Sequence, residues 1–377
     1  MNNFEQNTLD NIGEDVKKLH RLLVKEDQIP TYQSEVGEVT RPRFNTGYQS
    51  EFERNRIVFG APGTGKSYRL KIDCETLLKD TTGTFERVTF HPDYSYAHFV
   101  GTYKPISNGS NSEIRYEFVP GPFMRIYVEA IKSGRTNNPQ PYLLLIEEIN
   151  RAKVAAVFGD IFQLLDRGDD GVSEYEIHAS EDIKKYLSRE LGNDSDCCQK
   201  IKIPDNMFIW STMNSADQGV FPMDTAFKRR WNFEYIGIDE NDKKIKGKIT
   251  LGKGVHQIEV NWNQLRKAIN EKLAIEYKVN EDKLMGPYFL SKKVIRTSST
   301  TDMRIAEPEK FKDAFKNKVI MYLYEDAAKQ HKHKLFDGCN TTKYSTSKYS
   351  SICDAFDEIG IDIFGDGFRE LYDKQGV

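Results

Sequence analysis

The chain has 377 residues, enough for two or three domains with cores of their own, and a net charge of −3 with 29% charged residues excludes any global electrostatic pull toward nucleic acid. The start Met1-Asn2-Asn3-Phe4-Glu5 lacks the basic and apolar regions of a signal peptide, and the apolar run Tyr142 to Ile146 is far too short to span a bilayer, so a cytoplasmic protein with no membrane partner is expected. Five cysteines, Cys74, Cys197, Cys198, Cys339 and Cys353, lack C-x-x-C spacing, which argues against zinc and against a disulfide framework.

Residues 1–50 open with Leu9 to Lys25, where Ile12, Val16, Leu19, Leu22 and Leu23 recur at helical spacing, and continue as a polar connector. From 51 to 240 short apolar runs alternate with helical patterns: Ile57 to Phe59, Arg87 to Phe90, Tyr142 to Ile146, Phe208 to Thr212 and Phe233 to Ile238. That alternation predicts an α/β domain, a parallel sheet sandwiched by helices, interrupted by a polar insertion at about 168–204 with one helix over Glu181 to Leu191. Residues 241–261 read as a basic β-hairpin, with Lys243, Lys244, Lys246, Lys248 and Lys253 around a Gly252-Lys253-Gly254 turn; they could line a pore or touch DNA phosphates, although charge runs are usually solvated faces. From 262 to 377 the patterns are helical (Trp262 to Tyr277, Pro308 to Lys329, Ile352 to Ile359), giving a smaller, mostly α-helical C-terminal region.

The first run leads into Gly60-Ala61-Pro62-Gly63-Thr64-Gly65-Lys66-Ser67, a G-x-x-x-x-G-K-[ST] phosphate-binding loop followed by a helix pattern from Ser67 to Lys79. Backbone N–H groups of such a loop cradle phosphates at a helix N-terminus, Lys66 reaches the β/γ-phosphates and the Ser67 hydroxyl serves Mg²⁺. Tyr68, next in line, belongs to the same nucleotide-binding stretch. About 80 residues on, Leu143-Leu144-Leu145-Ile146 ends in Glu147-Glu148. Glu147 is expected to support Mg²⁺ through its water shell and Glu148 to act on the attacking water. Trp210-Ser211-Thr212-Met213-Asn214 is another strand ending in polar residues; strand C-termini share one sheet edge, which brings the Asn214 amide beside the acids. Asp224 to Trp231 carries Arg229 and Arg230, permanent cations suited to charge on a transferring phosphoryl group when supplied by a neighbouring subunit. Taken singly, these last three are also a solvated turn, an Asn-Ser turn and a basic helix end.

Together, the phosphate loop, Glu147-Glu148-Ile149-Asn150-Arg151-Ala152, Met213-Asn214-Ser215-Ala216-Asp217 and Asp224 to Trp231 resemble the McrB family of AAA+ motor subunits from modification-dependent restriction systems. Phe90-His91-Pro92-Asp93-Tyr94-Ser95-Tyr96 with Phe99 and Tyr103 looks like the family's aromatic segment, and Met285-Gly286-Pro287-Tyr288-Phe289 is similar to its lid motif. The resemblance spans about residues 50–290. It implies a P-loop AAA+ domain with an α-helical lid, a self-assembled ring (a hexamer) with nucleotide between subunits, and Arg229 or Arg230 acting in trans. It also implies contacts of Asn150 and Arg151 with a neighbouring site, a separately encoded McrC-like nuclease, DNA as a partner and a role in antiviral defence. GTP is implied by characterised relatives, but no motif here decides between ATP and GTP. Glu147 stands where the family usually has Asp, and the residues before the motor are few for a DNA-reading domain. A MoxR-like chaperone acting on proteins and a slow nucleotide switch are the rival readings.

Overall fold

The computed structural model describes residues 41–106, 114–192, 194–214, 220–299 and 303–376. The helix expected over Leu9 to Lys25 lies outside them. In chain order the described strands are β1 (Asn55–Phe59), β2 (Phe85–Thr89), β3 (Gly101–Ile106), β4 (Arg115–Pro120), β5 (Tyr142–Glu147), β6 (Ile177–His178), β7 (Lys200–Ile201), β8 (Met207–Met213), β9 (Asn232–Tyr235), β10 (Lys248–Leu251) and β11 (Ile258–Asn261). The helices that matter below are α1 (Lys66–Leu77), α2 (Pro122–Gly134), α3 (Glu181–Leu191), α4 (Thr225–Lys228), α5 (Trp262–Glu276), α6 (Pro308–Ala314), α7 (Tyr349–Ile359) and α8 (Phe368–Lys374).

Five strands form a parallel sheet in the order β2-β5-β8-β1-β9. The three central strands are apolar on both faces because both faces are covered. Ile57, Leu144, Ile146 and Ile209 point into one core with α2, while Val58, Leu143, Leu145, Phe208 and Trp210 point into another with Leu70, Cys74 and Leu77 of α1. Each such side chain contributes about 1.5–3 kcal/mol on leaving water. The chain is therefore α/β, with the sheet sandwiched by helices as its run pattern predicts.

Three features depart from the simplest reading of the sequence. The segment 168–204 contributes β6, β7 and α3, and its Ile183, Tyr186, Leu187, Ile201 and Ile203 join the main core, so an apolar stripe hidden in polar sequence makes it integral. An antiparallel hairpin, β3–β4, follows the aromatic segment. And the buried carboxylate of Asp205 accepts from the backbone N–H groups of Thr46, Gly47 and Tyr48 at 2.8–3.1 Å, fixing the connector that precedes β1.

The C-terminal region has a core of its own, built from Ile249, Leu251, Val260, Trp262, Phe311, Phe315 and Phe356. β10 and β11 pair antiparallel as a hairpin there. Two of its lysines are neutralised locally, Lys248 by Glu259 at 3.3 Å and Lys253 by Glu358 at 2.6 Å. The helix that starts at Pro308 continues beyond α6 as π-helical turns over Phe315–Ile320 and Leu323–Ala327.

Candidate nucleotide site

The phosphate loop leaves the C-terminal end of β1 and closes onto α1. Gly60, Gly63 and Gly65 all have positive φ (150°, 80° and 100°), a run of conformations that side chains rarely adopt. Lys66 is 8% exposed and its Nζ donates to the Gly60 and Ala61 carbonyls at 2.9 Å, while Thr64 Oγ1 donates to Ala61 O at 3.0 Å. The loop thus holds its own lysine in place from beneath.

Register brings the next strands level with it. Ile146 of β5 lies beside Ser211 of β8, and Met213 beside Phe59, so Glu147, Glu148 and Asn214 emerge at the same sheet edge as the loop. Ser67 Oγ donates to Glu147 Oε2 at 2.9 Å, and Thr212 Oγ1 donates to the same oxygen at 2.5 Å. Arg87 on β2 stands 3.9 Å from the other oxygen. A hydroxyl and a carboxylate converging in this way are hard oxygen donors of the kind Mg²⁺ takes, together with substrate phosphates. Among the described residues no three or more His, Cys, Asp or Glu side chains are grouped so that they could hold a metal ion by themselves, and a metal completed by phosphates needs no such group.

Glu148 has a left-handed backbone (φ 57°, ψ 47°), an uncommon and costly state for a non-glycine residue. Its N–H donates to Thr212 Oγ1 at 3.1 Å, and its carboxylate accepts from Asn214 Nδ2 at 2.6 Å and from Arg151 Nε at 3.4 Å. The turn aims the carboxylate and two donors orient it. Asn214 therefore touches Glu148 directly, and its Oδ1 is buried without a protein partner. Asn150 is 4% exposed and donates to the Asn214 carbonyl at 2.7 Å, a local structural role, whereas Arg151 is the half-exposed ion-pair partner of Glu148.

Arg229 and Arg230 are separated by their surroundings. Arg230 is 8% exposed in its side chain, bonded through Nε and Nη2 to Asp166 at 2.9 and 2.8 Å and packed 4.0 Å over Phe162. The Arg229 side chain is 65% exposed, with Asp166 3.9 Å away. Both lie at the opposite edge of the sheet from the phosphate loop, because Asn55, which opens β1, donates to the Arg230 carbonyl at 3.2 Å. A cleft of about 610 Å³ also lies at this far edge, lined by Asn55, Asp166, Arg167, Arg229 and Arg230.

Of the residues that complete the site, Asn241, Asn270 and Arg266 carry no local signal in the sequence, whereas the lid motif at 285–289 does. The lid segment is seated on the loop: Gly286 N donates to Pro62 O and Tyr288 N to Gly63 O, both at 2.8 Å. Contact is so close that a Cβ on Gly286 would meet Gly63 C and Thr64 N at 2.4 Å. Asn241 Nδ2 donates to Thr64 O at 3.0 Å. Behind the lid, Asn270 of α5 exchanges two hydrogen bonds with Met285, at 2.8 and 2.9 Å, and Arg266 donates to Met285 O at 3.0 Å. Burial pushes the Arg266 guanidinium down, and the bonded Asp239 carboxylate opposes that.

Residues 55–231 match the sequence profile of the AAA domain (dynein-related subfamily). The chain is 40% identical over 331 residues to the type II restriction enzyme BsuMI component YdiS of Bacillus subtilis, an alignment spanning 82% of this chain and 89% of that protein. It is 27% identical over 182 residues to the type IV methyl-directed restriction enzyme EcoKMcrB subunit of Escherichia coli, covering 48% of this chain and 35% of that subunit. With a phosphate loop, paired strand-end acids and an asparagine gathered at one edge of the parallel sheet, and with these relatives, the chain belongs to the McrB-like family of AAA+ ATPases.

Proposed function

We propose that the chain is a Mg²⁺-dependent nucleoside triphosphatase that works as the ring-forming motor of a restriction system, with DNA and a separately encoded McrC-like nuclease as partners. The observation that carries the reading is the meeting of Ser67, Glu147, Glu148 and Asn214 at the mouth of the phosphate loop. In this reading the loop N–H groups and Lys66 hold the triphosphate, and Ser67 with Glu147 hold the metal or its water shell. Bound Mg²⁺ supplies neutralisation of phosphate charge. Glu148 accepts a proton from the attacking water, and Asn214 keeps the carboxylate aimed.

Arg229 is assigned the role in trans. Its backbone sits at the far end of β1, and five residues at about 3.3 Å each separate that edge from the chain's own loop, beyond an arginine's reach. Its exposure leaves it available to a second copy, whereas Arg230 holds the element in place. The restriction role rests on the likeness to the YdiS component and to the McrB subunit. The test is steady-state phosphate release with ATP and with GTP in Mg²⁺, alone and with DNA and the co-encoded nuclease. Turnover raised by the nuclease is expected; turnover indifferent to both and raised by an unrelated protein substrate would favour a remodelling chaperone.

A further inference from the structure

β2 is an edge strand of the sheet, and its Arg87 lies in register with Leu145 of β5, two residues before Glu147. Residues two apart in a strand share a face, so Arg87, Leu145 and Glu147 project to the same side. Leu145 marks that side as the one packed by α1, the helix that carries Ser67. From there the Arg87 guanidinium reaches up the strand to Glu147, with Nε 3.9 Å from Oε1. Among the described residues neither side chain forms any other ion pair.

The two oxygens of Glu147 therefore have different surroundings. Oε2 accepts from the Ser67 and Thr212 hydroxyls at 2.9 and 2.5 Å, while Oε1 faces the cation. A glutamate has one more rotatable side-chain bond than an aspartate, hence more orientations to lose when it is fixed. The Arg87 side chain is 42% exposed, and a pair so open to solvent holds little energy of its own, so its effect is on orientation. A guanidinium is not neutralised by losing a proton, and it repels a divalent cation approaching the same oxygen. Oε2, already beside the Ser67 hydroxyl, is left as the oxygen that can serve a metal ion or its water.

We propose that Arg87 is a positioning residue for the metal site: it engages Oε1 of Glu147 and so presents Oε2, together with Ser67, to the Mg²⁺ that accompanies the nucleotide. The inference rests on the nucleotide-site reading above. It is tested on the full chain by titration calorimetry with a non-hydrolysable nucleoside triphosphate analogue, in excess Mg²⁺ and in excess EDTA. The proteins compared are wild type, Arg87→Met, Arg87→Lys, Glu147→Asp and the double variant Arg87→Met/Glu147→Asp, with unliganded melting as the fold control and Arg87→Gln in place of Arg87→Met should the latter melt lower. Arg87→Met is expected to leave the affinity in EDTA unchanged and to cut the gain in affinity from Mg²⁺ by about fivefold, whereas Arg87→Lys keeps most of that gain. Glu147→Asp draws the carboxylate back from the cation by one methylene, so adding Arg87→Met to it is expected to change nothing further. An Arg87→Met protein with the wild-type gain, an Arg87→Lys protein as impaired as Arg87→Met, or an equal loss in the Glu147→Asp background would overturn the assignment. A wild type that binds no nucleotide, or binds it equally with and without Mg²⁺, would instead overturn the underlying site reading.

Discussion

Glu148 and Arg229 are the residues on which the account turns, and each has a substitution that separates chemistry from binding. Glu148→Gln keeps the hydrogen bond from Asn214 and removes the base, so nucleotide affinity is expected to stay within about twofold while phosphate release falls by about 10²–10⁴. Lys66→Ala should instead remove binding itself, read by the same calorimetry. The two arginines are expected to fail differently. Arg230→Ala leaves the Asp166 carboxylate, 18% exposed, without its close partner, a loss of about 3–5 kcal/mol for fully buried pairs and less here, visible as a lowered melting temperature. Arg229→Ala should melt like wild type and lose turnover. Equal melting of the two variants would contradict the assignment of separate roles.

At the scale of elements, the lid seat is the contact most exposed to test. Gly286→Ala forces backbone apart where a Cβ meets Gly63 and Thr64 at 2.4 Å, and nucleotide affinity is expected to drop at least tenfold by calorimetry. A change below twofold would show that the seat is not needed for binding. The C-terminal hairpin offers a pH handle. Burial pushes the Asp362 carboxyl up, but hydrogen bonds from Arg369 and His256 together outweigh it and hold the group below its ordinary value. A depressed carboxyl contributes stability that is complete above its unfolded pKa, about 3.9, and is lost as pH falls through the lower folded value. The melting advantage of wild type over Asp362→Asn should thus persist from pH 7 to about 4 and vanish in stronger acid. The elements also show what a sequence discloses. The phosphate loop, the acids after β5 and the central strands are legible because their signals are local: glycine spacing, unbroken apolar runs, polar strand ends. The β3–β4 hairpin was not, since Pro105 and exposed Tyr116 blur its alternation, and neither were Asn241 or the Asn270 clamp, which reach the site through tertiary contacts between residues far apart in the chain.

For the whole molecule, the decisive geometry is the separation of the two halves of the proposed site. Glu148 and the loop lie at one edge of the sheet and Arg229 at the other, so a single copy holds both halves without being able to join them. In the ring proposed above, a closed set of identical copies would bring Arg229 of each copy to Glu148 of the next. The measurement that tests this most directly is phosphate release from Glu148→Gln and Arg229→Ala proteins, each alone and mixed in equal amounts. Near-silence is expected from each alone and recovered turnover from the mixture, because the arginine of one variant would meet the intact glutamate of the other. A mixture no more active than the average of its parts, from variants shown to assemble together, would contradict the shared site.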